Sequence, residues 1–233
     1  MKNLLKGNGA FLILIAAVFI FSRAFILQGL LPIPADTIIG LYHPYRDLYA
    51  VDYPNGIPYK NFLITDPVRQ IYIWKNLSVD IIGKGQMPLW NLYEFSGTPL
   101  LANFQSSPFY PLNLILFFRP FEISWSIFVL LQPLLAGIFT YLYLRNFKIH
   151  PLASVFGGVV FAFSGFAVAW MEWGTILSTG LWLPLILLAK EKLLKKMTWQ
   201  WILVLIFAEV SQIFAGHLQV LFYSWTFSNV YLF

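Results

Sequence analysis

The sequence predicts an all-α membrane protein: a polytopic helix bundle of about six spans with a large extracytoplasmic first loop carrying amphipathic surface helices. Three observations predict it. Hydrophobic residues make up 59% of the chain and charged residues 11%, with a mean hydropathy of +0.71. That leaves too few charges to cover a water-facing surface, so lipid is the solvent for most of the chain. Apolar runs of near-spanning length recur along the sequence, and one long polar, proline-rich interval separates the first run from the rest. The 9 Trp, 12 Tyr and 23 Phe suit a protein with wide membrane interfaces, where amphipathic rings sit at headgroup level.

The first run covers residues 10–31, behind a short cytoplasmic N-terminus, residues 1–9, that carries Lys2 and Lys6. At 1.5 Å per residue it is long enough to cross a hydrocarbon layer roughly 30 Å thick. It lacks a small-residue cleavage pattern before Leu31-Pro32 and reads as a retained anchor rather than a signal peptide. Arg23 interrupts it, and with Gln28 marks the exit of a shorter span where a long side chain snorkels outward, or else a functional charge within the membrane.

Residues 32–122 form the extracytoplasmic loop. Most of the prolines and the aspartates fall here, with turn signals such as Pro54-Asn55-Gly56 and Gly83-Lys84-Gly85. Further spans follow at 124–144, 152–170, 175–189 and 199–214, and a sixth begins at 218. That last run is still apolar at Phe233, so the sequence reads as the N-terminal part of a longer protein. Orientation follows from the short connections: Arg145 and Lys148 after the second span, and Lys190, Lys192, Lys195 and Lys196 after the fourth, belong in the cytoplasm. The long loop, Met171-Glu172-Trp173-Gly174 and Ala215-Gly216-His217 then lie outside, in a multi-pass protein of the cell membrane.

The absence of cysteine excludes disulfides and thiolate chemistry. The net charge of +5 comes from short clusters between apolar runs, not from one basic stripe, so no nucleic-acid partner is expected. Phosphate-loop, metalloprotease and nucleophile-elbow motifs are missing too.

Candidate chemistry lies in the outer segments. Asp66-Pro67 opens a stretch, residues 68–82, in which Ile71, Trp74, Leu77, Val79 and Ile81 follow helical spacing while Arg69, Lys75 and Asp80 supply the other face: an amphipathic helix on the membrane surface. Asp66 is then an N-cap followed by proline at the first helical position, or a catalytic carboxylate at a helix start. Met87-Pro88-Leu89-Trp90-Asn91, a stretch ending in Ala102-Asn103, and Pro108-Phe109-Tyr110-Pro111 form an aromatic, amide-rich loop that suits either a sugar platform or an interfacial anchor. Glu172 lies between Trp170 and Trp173 with the same ambiguity. His217, with Gln219 and Tyr223, is a polar cluster able to bind an anionic headgroup, move a proton, or simply cap a helix junction. Glu209 and Gln212, costly toward lipid, are expected to face the bundle interior.

The order of these motifs carries a resemblance. A first span, then a loop with Pro34-Ala35-Asp36, Thr65-Asp66-Pro67-Val68-Arg69-Gln70, Pro88-Leu89-Trp90-Asn91 and Ser96-Gly97-Thr98-Pro99, then Ala215-Gly216-His217-Leu218-Gln219, resembles the YfhO family of bacterial membrane proteins over nearly the whole chain. Members look like GT-C-fold glycosyltransferases, which transfer a sugar from a polyprenyl-phosphate carrier to an acceptor outside the cytoplasm. The resemblance implies a catalytic carboxylate at Asp66, with Asp36 as second candidate. It also implies substrate contacts from Gln70, Arg69, Trp90, Asn91, Asn103, Glu172, His217 and Gln219. Arg69, Lys75 or His217 would then stabilise the departing phosphate. Ile73-Trp74 and Trp90-Asn91-Leu92 stand where the family usually has Pro-Trp and Trp-Asn-Pro. The partners implied are the bilayer, a polyprenyl-phosphate sugar donor and a glycan or polymer acceptor; a divalent cation serves some relatives and not others, and no ligand cluster decides it here. Two other readings use the same segments: a lipid-linked sugar carrier or flippase, and an envelope assembly factor.

Overall fold

The computed structural model describes residues 8–57 and 64–231 and is mostly helical. The first apolar run forms α1 (Asn8–Phe21), then, after a turn at Ser22, α2 (Arg23–Gln28), which ends on Gly29 in the left-handed conformation. Short helices α3 (Asp36–Leu41) and α4 (Tyr45–Leu48) open the long loop. A wide π-turn, Pro67–Ile71, runs directly into α5 (Tyr72–Gly83). A two-residue ribbon follows, β1 (Trp90–Asn91) antiparallel to β2 (Thr98–Pro99), with Trp90 opposite Pro99 and Asn91 opposite Thr98. Two 3-10 turns, Phe104–Ser106 and Pro111–Phe117, lead to the bundle.

The bundle is built on α6 (Phe121–Asn146), about 39 Å long at 1.5 Å per residue. Pro120 precedes it in extended backbone, where proline cannot be drawn into a helix interior, and Glu122 and Arg145 match its dipole at the two ends. Pro133 lacks an N–H, which leaves the Val129 carbonyl without its intrahelical donor; the Gln132 amide donates to it instead, at 3.4 Å. Behind α6 the chain turns back as α7 (Pro151–Ala162) and α8 (Gly165–Trp170), and continues through a 3-10 turn, Met171–Trp173. Next come α9 (Ile176–Gly180), α10 (Leu183–Lys195), α11 (Trp199–Phe214) and α12 (Leu218–Val230). Among the described residues, Phe121–Asn146 and Pro151–Trp173 are long and apolar enough to cross a membrane, and Leu12–Phe21 and Trp199–Phe214 are shorter apolar helices.

Several elements depart from their expected form for physical reasons. The second run forms a longer helix than 124–144 because Pro120 sets its start. The third, 152–170, is interrupted at Phe163-Ser164, where the Ser164 hydroxyl accepts from the Ala167 N–H at 3.2 Å and caps a new helix. The fourth, 175–189, is two helices rather than one. Pro184 would clash with the Gly180 carbonyl four residues back, so α9 stops at Gly180 and α10 restarts with proline in its first turn. The 68–82 helix forms but does not lie loose on a surface: Tyr72 packs edge-on against Phe121 at 5.0 Å and Trp125 at 5.2 Å, and Arg119 is ion-paired with Asp80 and bonded to Asn76.

One buried cluster joins loop and bundle, with Ile71, Val79, Tyr110 and Leu116 from the loop packed among Trp125, Phe128, Leu177 and Trp182. A second gathers Leu14 of α1 with Tyr141 and Val155. The connections segregate to the two ends of α6. At its start, the π-turn packs against Met171–Trp173, and Phe109 meets Phe214 at 6.3 Å. At its end, Lys195 lies over Phe147 at 6.0 Å, Tyr143 meets the Tyr231 hydroxyl at 2.9 Å, and Tyr231 donates to Glu191 at 3.0 Å.

Candidate functional site

An open cleft of about 530 Å3 lies at the loop end of the bundle. Its walls are apolar, from Leu30, Leu31, Ile33 and Val168, and its acidic side chains are Asp36 and Glu172. Asp36 is presented by the first turn of α3, fixed where the Thr37 hydroxyl donates to the Pro34 carbonyl at 2.6 Å. Glu172 sits in the Met171–Trp173 turn, flanked by Trp170 and Trp173 with ring centroids 5.3 Å apart. That turn is tied to the bundle: Gln132 of α6 donates to the Met171 carbonyl at 3.0 Å and accepts from Ser178 at 3.1 Å.

Asp66 does not line this cleft, although Ile64, two residues before it, does. It is not an N-cap. Its backbone is already helical, with φ −60° and ψ −37°, and its side chain makes no cap bond; the Thr65 carbonyl instead accepts from Arg69 N–H at 2.9 Å. The carboxylate is therefore not committed to capping. Pro67 occupies the first turn as its fixed φ favours. Arg69 places its guanidinium 5.2 Å from the centre of the Tyr42 ring, pinning the π-turn to the segment after α3. Gln70 is half-buried in the same turn.

The remaining sequence candidates lie elsewhere; none of them lines the cleft. Trp90, half-exposed, covers Gly97, whose φ of +119° and close approach to the indole exclude any side chain. Asn91 is buried and its Oδ1 accepts from the Tyr93 N–H at 2.9 Å; Asn103 accepts from the Gln105 N–H at 3.1 Å and starts a 3-10 turn. His217 caps α12, its Nδ1 accepting from the Val220 N–H at 3.3 Å, and partial burial pushes its imidazole below the ordinary histidine range. Gln219 donates to the Tyr223 hydroxyl at 2.9 Å on the exposed flank of α12. Gln212 faces inward as expected, donating to the Thr179 carbonyl at 3.0 Å, while Glu209 is partly exposed and approaches Lys190 at 3.8 Å.

Lys75 departs from its expected place on the polar face of the loop helix. It is fully buried, bonded to the Ser107 hydroxyl and to Asn113 Oδ1 at 3.2 Å, with the Phe128 ring 5.4 Å away; burial pushes its ammonium down to about 7. The signal was present in the spacing, because Ile71, Lys75 and Val79 recur every four residues and share one stripe. Ser107 itself holds a left-handed backbone with φ 43°. Among the described residues no group of three or more His, Asp or Glu side chains gathers to hold a metal ion.

No protein-family model matches this chain, and no curated protein or solved structure matches it.

Proposed function

We propose that the protein is a polytopic membrane glycosyltransferase of GT-C type, similar to the YfhO family, moving a sugar from a polyprenyl-phosphate donor to an extracytoplasmic glycan or polymer acceptor. The observation that carries this reading is the cleft lined by both Asp36 and Glu172 beside apolar residues, at the end of the apolar helices. Such a mixed site suits a ligand with a lipid tail and a polar head. The segregation of Lys195 and Phe147 to one end of α6, and of the Asp36 cleft to the other, supports a six-span topology with the basic connections inside and the cleft outside.

In the transfer step a carboxylate takes the proton of an acceptor hydroxyl. The acceptor oxygen attacks the anomeric carbon, the bond from that carbon to the phosphate oxygen breaks, and polyprenyl phosphate leaves with the electron pair. This is an inverting displacement. Asp36 and Asp66 are the two candidate bases, and the cleft lining favours Asp36 because that residue forms part of the wall and Asp66 does not. Glu172, which lines the same cleft, would position the acceptor or sugar.

The test is transfer of labelled sugar from polyprenyl-phosphate donors by membranes carrying the protein, with Asp36→Asn, Asp66→Asn and Glu172→Gln compared at equal expression. A loss of about 100-fold or more in one aspartate variant identifies the base, on the scale typical of a general base. Lipid-linked sugar binding with no transfer by the unaltered protein would instead make it a carrier, which needs the groove but no carboxylate.

A further inference from the structure

Arg23 is the one basic side chain in the apolar run 10–31. The chain breaks helical continuity just before it, where the Ser22 hydroxyl turns back to the Val18 carbonyl at 2.7 Å, and α2 starts with Arg23. There Arg23 lines an open groove of about 680 Å3 between α1–α2 and α7–α8, whose other walls include Ala17, Ile20, Phe21, Val159 and Phe163. The groove is otherwise apolar. Val168 lines both this groove and the cleft of Asp36 and Glu172, so the two depressions meet at one side chain. Arg23 is exposed, and among the described residues it has no carboxylate within ion-pair distance. A cation on an apolar wall is costly unless an anion reaches it, and a guanidinium is shaped to hold phosphate oxygens in pairs.

We propose that Arg23 anchors the phosphate of an isoprenoid-phosphate lipid, whose chain lies in the α1–α7 groove and whose headgroup extends past Val168 to Asp36 and Glu172. This rests on the glycosyltransferase reading for the identity of the headgroup, and adds to it the binding path and the anchoring residue. A free sugar phosphate has the same anion but gains nothing from the apolar walls. An ordinary anionic phospholipid has two chains and a glycerol phosphate, and does not present a sugar to a carboxylate.

The experiment is binding of a fluorescent polyprenyl phosphate to the purified protein in nanodiscs of zwitterionic lipid, with Arg23→Gln, Arg23→Lys and Ala17→Phe compared. Arg23→Gln is expected to weaken the phosphate probe by about 10-fold or more, with Arg23→Lys retaining more of the affinity and the uncharged polyprenol unaffected by either change. Ala17→Phe, which fills the groove, is expected to weaken both probes. Unchanged phosphate-probe affinity in Arg23→Gln overturns the assignment. So does full displacement by inorganic phosphate or by phosphatidylglycerol at matched concentration, the first marking a free-phosphate site and the second general lipid contact. The two readings fail separately: Arg23-dependent binding without transfer removes the enzyme but leaves the anchor, whereas transfer with an unchanged donor KM in Arg23→Gln removes the anchor but leaves the enzyme.

Discussion

Lys75 and Ser107, 32 residues apart in sequence, are hydrogen-bonded inside the protein with both side chains buried. The bond fastens α5 to the turn that ends at Ser107, and Asn113 completes it by accepting from Lys75 at 3.2 Å and donating to the Ser107 carbonyl at 2.6 Å. Burial brings the Lys75 ammonium from 10.5 down to about 7. Below about pH 7 the lysine is protonated in both folded and unfolded chains, and the fold bears the cost of an enclosed cation. Between about 7 and 10.5 the unfolded chain binds a proton that the folded one does not, so stability rises with pH by up to about 1.4 kcal/mol per unit. Thermal melting in detergent across pH 6–10 is expected to show this rise in the unaltered protein and to lose it in Lys75→Met. An equal pH slope in that variant would remove Lys75 as its source.

Much of the helical plan was legible because a helix able to cross a membrane must carry a long apolar run, and α6 and the α7–α8 stretch fall where such runs lie. Asp36 was singled out from its motif and Glu172 from its place between tryptophans, but their meeting in one cleft was not legible. It depends on how the π-turn, α3 and the Met171–Trp173 turn pack, which no local spacing encodes. Lys75 was misread because a charge at a helical position suggests a solvated face, whereas Ser107 and Asn113, far along the chain, supply the partners that permit burial. The Oδ1 atoms of Asn91 and Asn103, expected as sugar contacts, accept from the local backbone, a competition that Asn enters readily, while the Asn91 amide nitrogen has no protein partner.

Close approach of helices predicts a second outcome. A Cβ on Gly158 would come within 2.7 Å of the Gly137 carbonyl and 3.3 Å of Leu14, at the point where α1, α6 and α7 touch. Small residues let helix backbones meet in this way. Gly158→Leu is expected to force α6 and α7 apart and destabilise the protein by about 1–3 kcal/mol or more, read as a lowered melting temperature. Gly165→Ala, which meets nothing within 4 Å, is the matched control and is expected to change it little.

Docking of the long loop depends on Gly216. Its φ is +97°, and a Cβ there would lie 2.9 Å from both the Phe104 carbonyl and the Ser107 Cβ. Gly216→Ala therefore meets backbone strain and a contact with main chain that cannot swing aside, together about 2 kcal/mol. The expected result is faster proteolysis within the loop at Phe104–Tyr110, with α6–α7 remaining protected. Uniform loss of protection across the chain would mean that the loop and the bundle unfold as one unit.

Gln132 links the bundle to the cleft. Its amide donates to the Met171 carbonyl, beside Glu172, and its carbonyl accepts from Ser178 in the buried helix α9. Gln132→Leu fills the same space but leaves the buried Ser178 hydroxyl and the Val129 carbonyl without their partner, at about 1–3 kcal/mol for each, and leaves the Met171 carbonyl only the Gly174 N–H. It also loosens the turn that holds Glu172 in the cleft that Asp36 lines. Glu172 would then be misplaced without being altered, and misplacement by about 1 Å is enough to cost roughly 100-fold in rate. On the transferase reading, Gln132→Leu is expected to lower kcat more than it raises the donor KM, because Arg23 and the groove hold the lipid independently of the turn. Gln132→Glu keeps the acceptor for Ser178 while changing the partner of Met171, and should fall between the two. A variant that melts lower yet transfers sugar at the normal kcat would confine Gln132 to stability and detach Glu172 from the reaction.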